Sequence, residues 1–185
     1  MRPFSFQQAA NELDAVRAAT PAPGGSDLRA DGATVYLAGG TTLVDLMKLD
    51  VMRPVKLVDI NALAATHGGI EADARGLRLG ALARMADVAD HPAVLRDYPV
   101  IAESLAMAAS GQLRNMASIG GNVLQRTRCS YFRDTSYAAC NKRVPGCRCA
   151  AMEGVNRIHA GLGTTSPCIA SYPGDLAQAL IALGS

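Results

Sequence analysis

The 185-residue sequence has no tryptophan, and only 4% of its residues are aromatic. Its core must therefore be built from aliphatic and small side chains, and a hydrophobic fraction of 49% is ample for one. Heavy use of alanine and glycine suits close backbone packing around a ligand. No apolar run approaches the ~18 residues that a membrane-spanning helix needs. The first residues, Met1-Arg2-Pro3-Phe4-Ser5-Phe6, lack the apolar stretch of a signal peptide. The expectation is a soluble chain made in the cytosol, reaching the periplasm only by co-export with a signal-bearing partner. Internal repeats and low-complexity tracts are also missing. No acidic pair is spaced for general acid–base work, and nothing resembles a nucleophile elbow or a catalytic triad. Any chemistry then belongs to bound groups. Neither a Walker A sequence nor G-x-G-x-x-G occurs, so the standard nucleotide signatures are absent. His67, His91 and His159 are scattered without partner spacing and receive no role.

Cysteine is present in an odd number, five, which fits a secreted disulfide framework poorly. Four of the five, Cys129, Cys140, Cys147 and Cys149, fall within 21 residues. Their spacing lacks the C-x₂-C pairs of a zinc ribbon and the repeated C-x₂-C run of bacterial ferredoxins. No histidine lies among them. Four thiolates suit either an iron–sulfur cluster or a zinc ion, and the residues alone leave both open. Between positions 126 and 149 six basic residues meet one acid, Asp134, giving +5; the remainder carries −3 of a formal net charge of +2. Such a segment offsets the negative charge of a four-iron cluster, and it should lower the pKa of unligated thiols. It also admits a different class of function, a zinc- or cluster-stabilised basic module that binds nucleic acid or a partner protein, although a basic run is more often a solvated surface. Cys168, in Ser166-Pro167-Cys168-Ile169-Ala170, reads as a small core residue.

Along the chain, Ser5 is a candidate N-cap for a helix over 6–19, and the Pro/Gly-rich stretch 21–26 reads as a surface loop. A strand over 33–38, a glycine turn, a helix over 43–52 and a strand over 55–60 make a βαβ unit with parallel strands. Residues 61–69 link to a strand pair, 69–74 and 76–81, turning at Arg75-Gly76. Short helices follow over 85–90 and from Pro92, then a longer one over 100–109. Residues 110–124 read as irregular or extended. Short strands are expected at 158–162 and 168–171, and a last helix from Gly174-Asp175 through 183.

Two glycine turns stand out. Gly39-Gly40-Thr41-Thr42 joins a strand to a helix, where free amides and the positive end of the helix dipole favour a phosphate. The threonine hydroxyls can cap the helix or bond a phosphate oxygen. Gly120-Gly121-Asn122 is a second turn of this kind. Either turn alone is an ordinary connection; together they suit an extended ligand with a pyrophosphate at its middle.

These residues resemble the FAD-binding subunit of molybdenum hydroxylases, the xanthine dehydrogenase and aldehyde oxidoreductase family. Leu37-Ala38-Gly39-Gly40-Thr41-Thr42-Leu43 is similar to the family's first FAD pyrophosphate loop. Arg114-Asn115-Met116-Ala117-Ser118-Ile119-Gly120-Gly121-Asn122 looks like the second. Pro173-Gly174-Asp175-Leu176-Ala177 is similar to the segment whose aspartate contacts the flavin nucleotide, with Gly174 in place of the usual serine. The resemblance implies an α+β, two-lobed FAD-binding fold of the PCMH type, with a small βαβ lobe over 1–62 and a larger mixed lobe over 63–185. It implies FAD contacts from Leu37, Ala38, Gly39, Gly40, Thr41, Thr42, Leu43, Ser110, Ala117, Ser118, Gly120, Gly121, Asn122 and Asp175. Asn122 and Asp175 are 53 positions apart, far more than in most of the family. The resulting cysteine-rich insertion, 123–172, resembles the branch with an additional [4Fe–4S] cluster, here with Cys129, Cys140, Cys147 and Cys149 as ligands. The implied role is electron transfer: a molybdenum-cofactor large subunit oxidises an aldehyde, a [2Fe–2S] small subunit passes the electrons on, and FAD here delivers them to an external acceptor. A heterotrimer is implied, with no nucleic acid and no membrane span. Family members continue with a further C-terminal domain, so the sequence is expected to be a truncated form.

Overall fold

The structure, a computed structural model, describes residues 1–20 and 33–184. The loop expected at 21–26 lies outside the described residues. Three parallel strands, β1 (Ser5–Gln8), β2 (Thr34–Leu37) and β3 (Lys56–Asp59), form a sheet in the order β1-β3-β2. Ser5 and Thr34 both register against Lys56, one on each side of the central strand. The expected βαβ unit is therefore present, with α2 (Leu43–Lys48) between β2 and β3. Leu46 and Met47 are its buried face. The helix stops earlier than expected, because Asp50 adopts a left-handed backbone (φ 59°) and turns the chain before Pro54.

The amino terminus differs from the expected helix over 6–19. Residues 5–8 pair with β3, and the helix α1 (Glu12–Ala19) begins only after Asn11, whose side chain accepts a hydrogen bond from the Asp14 amide. Phe6, Ala9 and Leu13 satisfy helical spacing, but an available edge of β3 offers residues 5–8 a full ladder of backbone hydrogen bonds. The true cap is Asn11, whose Nδ2 also donates to the Asp14 carboxylate, a reciprocal arrangement like a capping box. Ala9, Ala15 and Val58 close a small core beneath this sheet.

After a 3₁₀ turn (Asn61–Leu63) and α3 (Ala64–His67), β4 (Ile70–Asp73) and β5 (Gly76–Leu79) form an antiparallel hairpin, as expected. Gly76 makes its turn with φ 134°. Helices α4 (Met85–Ala89), α5 (Pro92–Asp97) and α6 (Pro99–Met107) pack with the last helix, α10 (Asp175–Ala182). Their core holds Met85, Val88, Val94, Ile101, Leu105 and Leu176. Pro92 and Pro99 open their helices, where a missing amide hydrogen leaves no bond unmade.

The stretch 110–124 is not irregular. It forms two short helices, α7 (Gly111–Met116) and α8 (Ile119–Val123), capped by the hydroxyls of Ser110 and Ser118. Glycines at helix starts and interiors masked their periodicity. Between α8 and α10 runs the cysteine segment, whose one helix is α9 (Ser130–Arg133). The strands expected at 158–162 and 168–171 are replaced by a single bridge between Thr165 and Cys168 and a hydrogen bond from the Ala160 amide to Ile169 O at 3.0 Å. Ile158 and Leu162 face solvent, so no core rewards a continuous ladder there. No helix among the described residues is long and apolar enough to cross a membrane.

Candidate cofactor site

The first glycine turn lies against Met116 and Ala117, the residues that lead into the second. A Cβ on Gly39 would overlap the carbonyl oxygen of Met116 and crowd Ala117, so only glycine lets the first turn lie against the end of α7. Gly40 turns the chain with φ 73°, a left-handed conformation open to glycine. Between the first turn and α7 opens a cleft of about 350 Å³, lined by Gly39, Gly40, Thr41, Val44, Leu113 and Met116. Leu37, Ala38 and the residues from Thr41 to Leu43 are half-buried. Thr42 precedes α2 but makes no side-chain cap, so the expected capping role does not appear.

Two polar residues that carried no motif signal hold the turns together. Arg84 donates through one guanidinium nitrogen to Met116 O and through the other to Asn61 Oδ1 at 2.9 Å. Asn61 in turn donates to Ala38 O at 3.1 Å. A continuous chain of hydrogen bonds thus runs from the first turn, through Asn61 and Arg84, to the approach of the second. Neither residue lies in a recognisable pattern; their partners are backbone oxygens brought near only by folding.

The second turn is pinned by the strand-like segment before α4. Gly120 donates to Ala81 O at 2.8 Å, Ile119 donates to Ala83 O at 2.9 Å, and Met85 donates to Ala117 O at 2.9 Å. A Cβ on Gly120 would stand 3.0 Å from Ala81 O, tighter than ordinary packing. Ser118 Oγ accepts from Gly121 N at 3.2 Å, which spends that hydroxyl on the backbone. Asn122 donates to the Met85 sulfur at 3.4 Å, while its buried Oδ1 has no partner. Asp175 stands exposed at the first residue of α10, and Leu176 anchors that helix in the core with Ile119 of α8. Tyr172 completes the connection by donating to Val123 O at 2.8 Å. Its ring occupies the space a side chain at Gly174 would need. The glycine at that position therefore serves the tyrosine.

The cysteine segment forms a second core directly behind α2. Leu46, Cys129, Tyr131, Phe132, Cys140 and Ala151 are buried together, with Cys149, Ile169 and Ala170 packed against them. Cys140 and Cys149 sit side by side across an antiparallel bridge. Burial pushes the Cys129 thiol above its ordinary value, and the nearby Cys140 and Cys149 sulfurs push the same way. This reverses, for Cys129, the expectation that the basic segment lowers it, because desolvation is the largest influence on this sulfur. Arg133 instead pairs with Asp45 of α2 at 2.7 Å, and Arg143 caps the carbonyls of Tyr131, Phe132 and Tyr137. Cys147 lies outside the packed group and donates to Arg148 O at 3.4 Å. Cys168 accepts from the Ala170 amide at 3.4 Å. Among the described residues no three His, Cys, Asp or Glu side chains stand close enough to hold one metal ion. Thiolates on a single zinc stand about 3.8 Å apart, given Zn–S bonds of about 2.3 Å. A four-iron cluster is also held by thiolates, and Cys129, Cys140 and Cys149, which share one core, are donors of that type.

Over residues 1–185 the sequence matches the family described as the FAD binding domain in molybdopterin dehydrogenase. It is 45% identical over 180 residues to the aldehyde oxidoreductase FAD-binding subunit PaoB of Escherichia coli, covering 97% of this chain and 53% of that protein. It is 34% identical over 87 residues to the carbon monoxide dehydrogenase medium chain of Hydrogenophaga pseudoflava, covering 47% of this chain and 30% of that one. A solved carbon monoxide dehydrogenase from Hydrogenophaga pseudoflava superposes with a TM-score of 0.56 at 30% identity, over 66% of this chain and 39% of that structure's chain. The chain thus spans about half the length of the Escherichia coli subunit and less of the other.

Proposed function

The chain belongs to the FAD-binding domain family of molybdopterin dehydrogenases, and from that premise we propose that it is the FAD- and [4Fe–4S]-binding electron-transfer part of a molybdenum-dependent aldehyde oxidoreductase. Electrons released from an aldehyde in a molybdenum-cofactor large subunit pass through a [2Fe–2S] small subunit to this one, and leave it for an external acceptor. The three polypeptides form a heterotrimer, acting in the periplasm after co-export with a signal-bearing partner or in the cytoplasm. The observation that carries the reading is the close contact of the first glycine turn with the segment leading into the second, Gly39 lying against Met116 and Ala117.

In this reading the FAD pyrophosphate lies along residues 37–43 and 117–122, with Ser110 and Asp175 contributing from the flanks, and the lobes 1–62 and 63–185 close on the flavin from either side. FAD suits the junction because it takes up electrons singly and releases one or two. The chain's own part is to present backbone amides at glycines that admit close approach, and to hold both turns through Arg84 and Asn61. Cys129, Cys140 and Cys149 supply three thiolates to the cluster and Cys147 the fourth. The shared core of the first three supports that set.

Absorption of the anaerobically purified heterotrimer tests both cofactors: flavin bands together with a broad iron–sulfur shoulder are expected, and a colourless, zinc-containing protein would sink the reading. Iron analysis tests the ligands. Cys140→Ser is expected to lose the additional cluster, and full iron content in that variant would remove the assignment. Cys147→Ser and Cys168→Ser, compared side by side, decide the fourth thiolate, since Cys168 adjoins the segment packed on the same core.

A further inference from the structure

His159, which the sequence left without a role, reaches back thirty positions to Cys129. Its Nε2 stands 3.1 Å from Cys129 Sγ. The chain holds the imidazole there by several contacts. The His159 amide donates to Asn156 O at 2.9 Å, and the following Ala160 amide ties to Ile169 O at 3.0 Å. The ring of Tyr131 lies beside it, centroids 6.1 Å apart and planes tilted by 48°. Tyr131 is itself fixed, because its hydroxyl accepts from Val155 N at 2.6 Å and its ring meets Tyr137 edge-on.

At 3.1 Å the nitrogen is within reach of an N–H···S bond. A cluster-bound thiolate only accepts, so with a cluster on Cys129 the proton would sit on Nε2. The other ring nitrogen agrees: Nδ1 is buried with no hydrogen-bond partner, so nothing there competes for the proton.

We propose that His159 is a positioning residue that donates a hydrogen bond from Nε2 to the sulfur of Cys129 and thereby raises the reduction potential of the cluster bound through that cysteine. The inference rests on the cluster reading above. The Cys129 sulfur would carry more negative charge in a reduced cluster than in an oxidised one, so the bond from His159 would be stronger in the reduced form. The donor therefore stabilises the reduced form more than the oxidised one, the usual effect of hydrogen bonds to cluster sulfur. Buried beside Tyr131, this sulfur has little water to replace a lost donor.

The test uses the intact, anaerobically isolated heterotrimer at one fixed pH. Iron and sulfide are measured first: a wild-type complex without the additional cluster overturns the cluster reading, and this inference with it. With the cluster present, His159→Ala and His159→Gln are compared by redox-poised electron paramagnetic resonance. Loss of one hydrogen bond of ordinary strength is expected to lower the reduced-to-oxidised ratio at fixed solution potential by about 3- to 10-fold in the alanine variant. Glutamine, which keeps an N–H near the same place, is expected to restore most of it. In deuterated water the wild-type and glutamine clusters are expected to show an exchangeable deuteron coupling that alanine lacks. A ratio unchanged in alanine overturns the proposal, as does loss of the cluster from both variants, which would make His159 a ligand. Flavin content in the same samples shows that each variant is folded.

Discussion

At the scale of single residues, glycine is used here for absence of a side chain. Gly39 is the clearest case, since the oxygen it meets belongs to the backbone and has little freedom to withdraw. Gly39→Ala is expected to cost about 1–3 kcal/mol of stability, the range for overpacking, and to release flavin because the first turn can no longer lie against Met116. Thermal melting and flavin-to-protein ratio measure both; a variant that keeps full flavin content would show that turn contact is not needed. Asp50 makes the opposite use of an unusual backbone. Its hydrogen bond from Arg2, with a second from Arg53, holds its carboxyl down at about 2. A carboxylate whose pKa is depressed on folding stabilises the native state above its unfolded value, about 3.9, and loses that contribution as the pH falls through the folded value. The stability difference between wild type and Asp50→Asn is therefore expected to be constant at neutral pH and to shrink between about pH 4 and pH 2. Denaturant unfolding across that range checks it, and a difference that grows on acidification would contradict the assignment.

At the scale of elements, α2 has two neighbours with separate tasks. Its start follows Gly39-Gly40, while its buried face, through Leu46, is part of the core that holds Cys129 and Cys140. Asp45 and Arg133 join α2 to α9 across 88 positions of sequence. This ion pair is partly exposed, so its worth is bounded at about 0.2–1 kcal/mol. A double-mutant cycle with Asp45→Asn and Arg133→Gln is expected to return a coupling in that range, diminishing with added salt. A coupling of zero would reduce the pair to a surface contact. Tyr172 does the corresponding job at the second turn, tying the approach to α10 onto the end of α8.

At the scale of the whole molecule, charge and burial have distinct origins. The +5 of the cysteine segment is partly structural, with Arg143 and Arg133 spent on carbonyls and on Asp45. Arg126, Arg128, Lys142 and Arg148 are exposed. The buried Cys129 thiol feels the desolvation of its core more than those cations, which is why a count of charges along the sequence gave the wrong sign for its pKa.

The βαβ unit, the hairpin around Gly76 and the last helix were legible because their signals are local: a buried strand pattern, a glycine at a positive φ, an apolar stripe at helical spacing. The two glycine turns and the close-set cysteines were legible for the same reason, being short patterns with a direct chemical consequence. Folding alone decided the rest. Residues 5–8 became a strand because β3 had an open edge, a fact located fifty residues away. Arg84 and Asn61 became the clasp of the site because their partners are backbone oxygens, which leave no mark in a sequence. His159 came to Cys129 through the packing of Tyr131 and the pairing of Ala160 with Ile169. The sequence by itself determined which chemistries the chain holds, because donor atoms and glycines are properties of residues. Only the tertiary structure decided which of them act together, because proximity arises from burial and hydrogen-bond satisfaction summed over the whole chain.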